Sequence, residues 1–140
     1  MPGSQLTASA LNAEKLRMQI IAQNIANANT TQTASGEPYR RQLVAFESVL
    51  NRSTGLEPSD PASHLQGVRV SGVFDDLSEF KRIYNPDHPH ADESGFVALP
   101  NVETAMEMVD MIASSRSYEA NLAVMKTSRQ LAKQAMSINA

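Results

Sequence analysis

The sequence predicts a mainly α-helical fold with a small β-containing middle, built on two long terminal helices that pack as an elongated, coiled-coil-like pair. Three observations carry this. All seven prolines lie at Pro2 or between Pro38 and Pro100. Six of the seven aromatics fall between Tyr39 and Phe96, the exception being Tyr118. Apolar residues recur at helical spacing toward both ends and form short runs between them. Charge divides in the same places, with one acid and two bases in 1–34, ten and six in 35–100, and four and four in 101–140. The expected parts are an N-terminal helix and polar link (1–34), a small β-rich middle (35–100) and a long C-terminal helix (101–140).

The first helix is expected from about Gln5 to Asn29, capped by Ser4 or Thr7, because this stretch is rich in alanine and has no interior Gly or Pro. Leu11, Met18 and Ile25 recur every seven residues, with Leu6, Ala8, Ile21, Ala22 and Ala28 beside them. Side-chain hydrogen bonding and Gly/Pro in the polar run 29–38 end the helix. Short strands are expected at Tyr39–Phe46, Val68–Phe74, Phe80–Tyr84 and Phe96–Leu99. They are too few and short for an enzyme-sized core, and a small twisted sheet or a hairpin pair would use them. A mobile loop is expected at 51–66 and a rigid, turn-rich one at 85–95.

Asn101 is placed to cap a helix running from Val102 to about Ile138 without Gly or Pro. Met108, Met111, Ser115, Tyr118, Leu122, Met125, Arg129, Ala132 and Met136 follow alternating steps of three and four, and Val124, Leu131 and Ile138 form a second stripe. Such a helix is roughly 55 Å long, at ~1.5 Å per residue. A compact domain of 140 residues is only about 37 Å across. The first helix covers part of that length, so other chains are expected on the remainder. Asn24, Asn27 and Asn121 stand on or beside the apolar faces, where a buried amide sets helix register.

Composition narrows the function. The absence of cysteine rules out disulfides, thiol catalysis and thiolate zinc sites. A net charge of −3 argues against nucleic acid as a partner. No apolar run suits a membrane span, and Met1–Gln5 lacks the character of a signal peptide. Asp87, His88, His90, Asp92 and Glu93 resemble a divalent-metal cluster, but two prolines stiffen the loop and no second ligand pair is evident, so a packing turn is the better reading. Ser78-Glu79-Phe80-Lys81 matches an acyl-transferase nucleophile pattern without the accompanying motifs. Arg40-Arg41 and Lys81-Arg82 are read as inter-subunit salt bridges or solvated faces. The methionines of the C-terminal helix, Met106 included, suit an adaptable interface.

Asn24-Ile25-Ala26-Asn27-Ala28-Asn29-Thr30, closing an amphipathic helix, resembles the signature of bacterial flagellar axial proteins, the rod and hook subunits. The longer polar link before Pro38-Tyr39-Arg40-Arg41 is similar to that of proximal rod members. So are Asn85-Pro86-Asp87-His88-Pro89-His90-Ala91-Asp92, Gly95-Phe96-Val97, Pro100-Asn101-Val102 and the segment from Glu107 to Asn121. The resemblance implies a structural, non-enzymatic rod subunit that assembles helically and transmits torque from rotor to hook. It further implies export through the flagellar type III apparatus without a cleaved signal peptide, to a place in the periplasmic basal body. The implied partners are other copies of the chain, other rod proteins and the basal-body base or export apparatus, with neither nucleic acid nor membrane insertion. No cofactor, metal or catalytic residue is expected. The expected subunit contacts are Leu11, Met18, Ile21, Asn24, Ile25, Asn27, Met108, Met111, Tyr118, Asn121, Leu122, Met125, Leu131 and Met136. The alternatives are another axial protein of the same family, a soluble helical adaptor or secretion chaperone, and, third, an enzyme using loop 85–95 as a metal site.

Overall fold

A computed structural model describes residues 2–50 and 66–138. Helix α1 spans Pro2–Ala26, strands β1 and β2 span Gln42–Leu50 and Gln66–Asp75, β3 and β4 span Lys81–Tyr84 and Phe96–Leu99, and helix α2 spans Thr104–Ile138. The terminal helices and the β-containing middle are therefore present as expected. The expected loop at 51–66 lies outside the described residues except for Gln66, which already belongs to β2.

The strands form two separate antiparallel ribbons. In the first, pairing runs from Gln42 opposite Asp75 to Leu50 opposite Gln66. It is interrupted where Ala45 faces Gly72 and Phe46 faces Val70, which leaves Ser71 as the extra residue of a bulge. In the second, Lys81 faces Leu99 and Tyr84 faces Phe96. Asp92 closes that ribbon's loop, its Oδ1 accepting from the backbone N–H of Ser94 (2.9 Å) and Phe96 (2.8 Å). Gly95 sits at φ +79°, and a Cβ there would come within 2.8 Å of the Tyr84 ring. Glycine is required twice over, by the left-handed backbone and by the aromatic wall.

α1 packs against α2 and against the β1–β2 ribbon. The helices run antiparallel, since Asn24 bonds to Glu107 while Glu14 bonds to Ser114 and Ser117. Apolar burial is slight. Among the described residues, only Leu11, Ala13, Ile21, Val97 and Val102 are buried hydrophobic side chains of the core.

Four expectations about boundaries and faces are corrected. α1 ends at Ala26, because the Asn27 amide turns back to the Gln23 carbonyl (2.9 Å) and Thr30 donates to Asn27 Oδ1 (3.2 Å). The first strand begins at Gln42, since Tyr39, Arg40 and Arg41 are engaged with other elements (below). α2 begins at Thr104, and the Glu103 carbonyl accepts its first bond, from Glu107 N–H (3.0 Å). Asn101 is therefore not the cap. The face of α2 turned inward follows Glu107, Met111, Ser114, Tyr118, Asn121, Met125, Ser128 and Ala132, whereas Met108, Arg129 and Met136 of the expected stripe are exposed. The spacing of three and four is as expected, but its phase admits a polar or small residue in every second position.

Candidate functional site

The most elaborate constellation lies where the end of α1, the start of β1 and the first turn of α2 converge. Asn24 is 1% exposed and uses its whole amide. Its Nδ2 donates to the Gln42 carbonyl (2.9 Å) and to Glu107 Oε2 (3.1 Å). Its Oδ1 accepts from Gln42 N–H (2.9 Å) and from the Tyr39 hydroxyl (3.0 Å). Two donors and two lone pairs are thus all satisfied. The side chain pairs with Gln42 as a neighbouring strand would, so the axial helix is joined to β1 through backbone atoms.

Glu107, also 1% exposed, would be a costly buried charge alone. Arg41 answers it, with Nε donating to Oε1 at 2.5 Å. The same guanidinium reaches Asp110 at 3.5 Å and Asp76 at 3.8 Å. Arg41 is in turn positioned through its backbone, its N–H donating to Asn101 Oδ1 (2.8 Å) and its carbonyl accepting from Asp76 N–H (2.8 Å). Asn101 Nδ2 continues to the Asp76 carbonyl (2.9 Å) and the Ser78 hydroxyl (2.9 Å). Arg41 is therefore an internal ion-pair partner and not the inter-subunit or solvated charge its sequence context suggested. Its partners lie 35 to 69 residues away, beyond the reach of local pattern. Arg40 packs over the Phe80 ring (4.2 Å), and Arg82 pairs with Asp92 (3.0 Å).

Two groups here have displaced acidities. The Tyr39 hydroxyl is raised above 10.0, mainly by burial and then by the charges of Asp75 and Glu107. Asp76 is lowered below 3.8, chiefly by hydrogen bonds from the Ser78 backbone and side chain.

A second polar link lies further along the helix pair. Ser114, 1% exposed, donates to Glu14 Oε2 at 2.6 Å, and Ser117 donates to Glu14 Oε1 at 3.3 Å. Ser9 Oγ accepts from Val68 N–H (3.2 Å) and so ties α1 to β2. The contacts holding the axial helices to the chain are thus largely polar and satisfied.

The residues expected at subunit contacts divide by position. Leu11, Ile21 and Asn24 are buried within the chain; Met18, Ile25, Asn27, Met111, Tyr118, Asn121, Leu122 and Met125 are half-buried; and Met108, Leu131 and Met136 are exposed. Asn24 does bridge α1 and α2, while Asn27, just past α1, bonds back to the Gln23 carbonyl and Asn121 bonds within α2 to the Ser117 carbonyl. Sequence reasoning passed over Glu14 and Ser114 and gave Glu107 no individual role, while it read Arg41 as an inter-subunit or solvated charge and Asn101 as a helix cap. A signal existed for Glu107: stepping back four residues from Met111, in phase with Ser114 and Tyr118, lands on it.

The side chains of the His88/His90 loop are engaged locally. His88 Nδ1 accepts from His90 N–H (3.1 Å), His90 Nδ1 meets the Thr31 hydroxyl (2.8 Å), and Asp92 is held as above. Among the described residues no three His, Cys, Asp or Glu side chains converge as metal ligands, and no helix is long and apolar enough to cross a membrane.

Known proteins match this sequence at both ends and along nearly its whole length. Residues 5–32 match the family model described as flagella basal body rod protein, and 93–138 match flagellar basal body rod FlgEFG protein C-terminal. The curated flagellar basal-body rod protein FlgC of Borreliella burgdorferi is 40% identical, covering 95% of this chain and 93% of its own length. This chain belongs to the FlgC family of flagellar basal-body rod proteins. The FlgC of Bacillus subtilis is 38% identical with the same coverage, and that of Yersinia enterocolitica is 36% identical over 90% of this chain and 87% of its own. The two segments matched by the rod-family models are α1 with the start of its link and the β4–α2 region, the same segments that the Asn24 and Glu107 knot joins. It is a structural, non-enzymatic family.

Proposed function

We propose that the chain is a proximal subunit of the flagellar rod that assembles helically with other copies and other rod proteins and carries torque from rotor toward hook. Membership of the rod family supplies the role. One observation carries the assembly mode: much of the apolar surface of α2 is left uncovered by the chain. Its inward face alternates polar residues, Glu107 and Ser114 among them, with Met111, Tyr118 and Met125, while Met106, Met108, Val109, Ile112, Val124, Leu131 and Met136 stand 53 to 69% exposed. A helix with that much apolar side chain left outside lowers its free energy by meeting other apolar surfaces, at about 25 cal/mol per Å² buried.

α2 is about 52 Å long by the rise per residue, so its outward seam suits several neighbours. The pair α1–α2 acts as a coiled-coil-like strut in an elongated subunit, with load carried along backbone hydrogen bonds. Of the expected contacts, Met108, Leu131 and Met136 are exposed and available to neighbours, while Met111, Tyr118, Asn121 and Met125 are half-buried on the face turned toward the chain. A position in the periplasmic rod, type III export without a cleaved leader, and contact with the basal-body base or export apparatus complete the reading.

The test replaces Val124 and Leu131 together by aspartate. The purified variant should keep its helical circular dichroism and unfold within about 0.5 kcal/mol of the parent, since both side chains are surface residues in one chain. Basal bodies from cells carrying it should lack an assembled rod. Normal rods of ordinary stability would count against the reading.

A further inference from the structure

Leu77 is 85% exposed, the most exposed large hydrophobic side chain among the described residues, yet it is not on a loose loop. Both of its neighbours are pinned. Asp76 Oδ1 accepts from Ser78 N–H (2.9 Å), and Asn101 Nδ2 donates to the Asp76 carbonyl (2.9 Å), the Ser78 hydroxyl (2.9 Å) and the Ser78 carbonyl (3.3 Å). Arg40 donates to both carbonyls at 3.4 Å, and Asp76 N–H donates to the Arg41 carbonyl (2.8 Å). A leucine held out by such a framework has already lost the backbone freedom that docking would otherwise remove. Two residues on, Glu79 is exposed and has no hydrogen-bond or ion-pair partner among the described residues.

A receiving surface lies on the far side of Arg41, whose backbone holds Asp76 and whose side chain lines it. Between α1, β1 and the first turns of α2 is a solvent-open cleft of about 240 Å³, apolar on the side of Ile20, Ile21, Leu43, Val44 and Phe46 and closed at the other by the Asn24, Arg41, Glu107 and Asp110 cluster, whose charges are already paired with one another. At about 30 Å³ per water it holds roughly eight, more room than the four side-chain carbons of a leucine fill. Arg17 stands in its wall and, like Glu79, has no partner among the described residues. The apolar side of the cleft with its free guanidinium complements an apolar knob followed by a free carboxylate.

We propose that Leu77 of one copy inserts into this cleft of a second copy, with Glu79 pairing to Arg17, so that copies join knob to cleft. The proposal rests on the rod reading above and names one of its contacts. Knob and cleft are different surfaces, so the contact is heterologous, and repeated application builds an open helix.

The test uses the absence of native cysteine. Cells whose only copy carries Phe46→Cys, further along β1 and out of a short linker's reach of Leu77 in the same chain, and Leu77→Cys are grown, basal bodies are isolated and treated with a short bis-maleimide, and the products are separated by mass. Dimers and higher multiples of this chain are expected, and neither single-cysteine variant should give them. A chain that is present in the rod but stays uncross-linked, that stops at dimers, or that joins a different protein overturns the contact while leaving the rod reading intact. Absence of the wild-type chain from basal bodies would instead overturn the rod reading. In parallel, Arg17→Glu and Glu79→Arg should each lower incorporation about tenfold, the scale of one lost ion pair in a dry contact. The double swap should restore it, and a double variant no better than the singles overturns the pairing. Unchanged thermal unfolding of each purified variant separates these outcomes from misfolding.

Discussion

The Asn24 amide donates to the Glu107 carboxylate at 3.1 Å across 83 residues of sequence, and both side chains are 1% exposed. This single bond joins the end of the first axial helix to the beginning of the second. Among the described residues no buried side-chain nitrogen or oxygen is left unpaired. A chain with so few buried apolar side chains depends on such links to choose one arrangement of its helices, because apolar contact alone is indifferent to register.

Removing the amide should therefore cost more than its size suggests. Asn24→Ala leaves Glu107 and the Gln42 backbone short of partners, for a loss of about 2–4 kcal/mol in urea unfolding. Asn24→Asp should be worse, since it sets a second carboxylate beside Glu107 and removes both donors. An aspartate variant as stable as wild type would show that the knot does not hold the helices.

Arg41 and Glu107 should behave as a unit. Arg41→Met strands a buried carboxylate and should cost about 3–5 kcal/mol, as should Glu107→Met in reverse. The double variant should be less damaged than the two losses added together, with a coupling of about 1–3 kcal/mol in a double-mutant cycle. Strict additivity would contradict the geometry.

Acid and alkali should each weaken the fold through a named group. Asp76 is lowered below 3.8, so the unfolded chain binds its proton more readily. The stability it contributes is present above that value and drains away as pH falls below it. Asp76→Asn should flatten this acid limb in a pH series of unfolding midpoints. Tyr39 is raised above 10.0, so its contribution is full below pH 10 and is lost as pH climbs past it. Tyr39→Phe should remove that alkaline limb and cost about 1 kcal/mol at neutral pH through the lost bond to Asn24.

Two glycines with nearly the same backbone should respond differently to alanine. Gly36, at φ +83°, has open space where a Cβ would stand, so Gly36→Ala should cost only the left-handed conformation, about 1–2 kcal/mol. Gly95, at φ +79°, has the Tyr84 ring 2.8 Å and Pro86 Cβ 3.3 Å from that position. Gly95→Ala should cost more and disturb the β3–β4 ribbon specifically, which amide exchange of Tyr84 and Phe96 would register. Equal effects at the two sites would mean that the aromatic wall yields freely.

The local grammar of the chain made much of this legible. Proline and aromatic placement delimited the two helices and the β middle, the run Phe96–Leu99 was found to the residue, and the motif at Asn24–Thr30 pointed to the family. These are decisions made within a few turns or one short strand, where propensity and periodicity suffice. The phase of α2 was not among them. Met108 and Met136, expected at subunit contacts, are exposed in the single chain, while Glu107, which periodicity left without a role, is buried, because which face turns inward depends on whether a partner such as Arg41 or Asn24 waits there. Asn101 illustrates the same limit. Sequence made it a helix cap, and the fold uses it to tie Arg41 to the bend at Asp76–Ser78. By itself the sequence determined how many helices form, roughly where, and that their apolar surface exceeds what one chain can cover. Only the tertiary structure decided which polar groups go inside, since a buried charge is tolerated solely where a distant residue arrives to neutralise it.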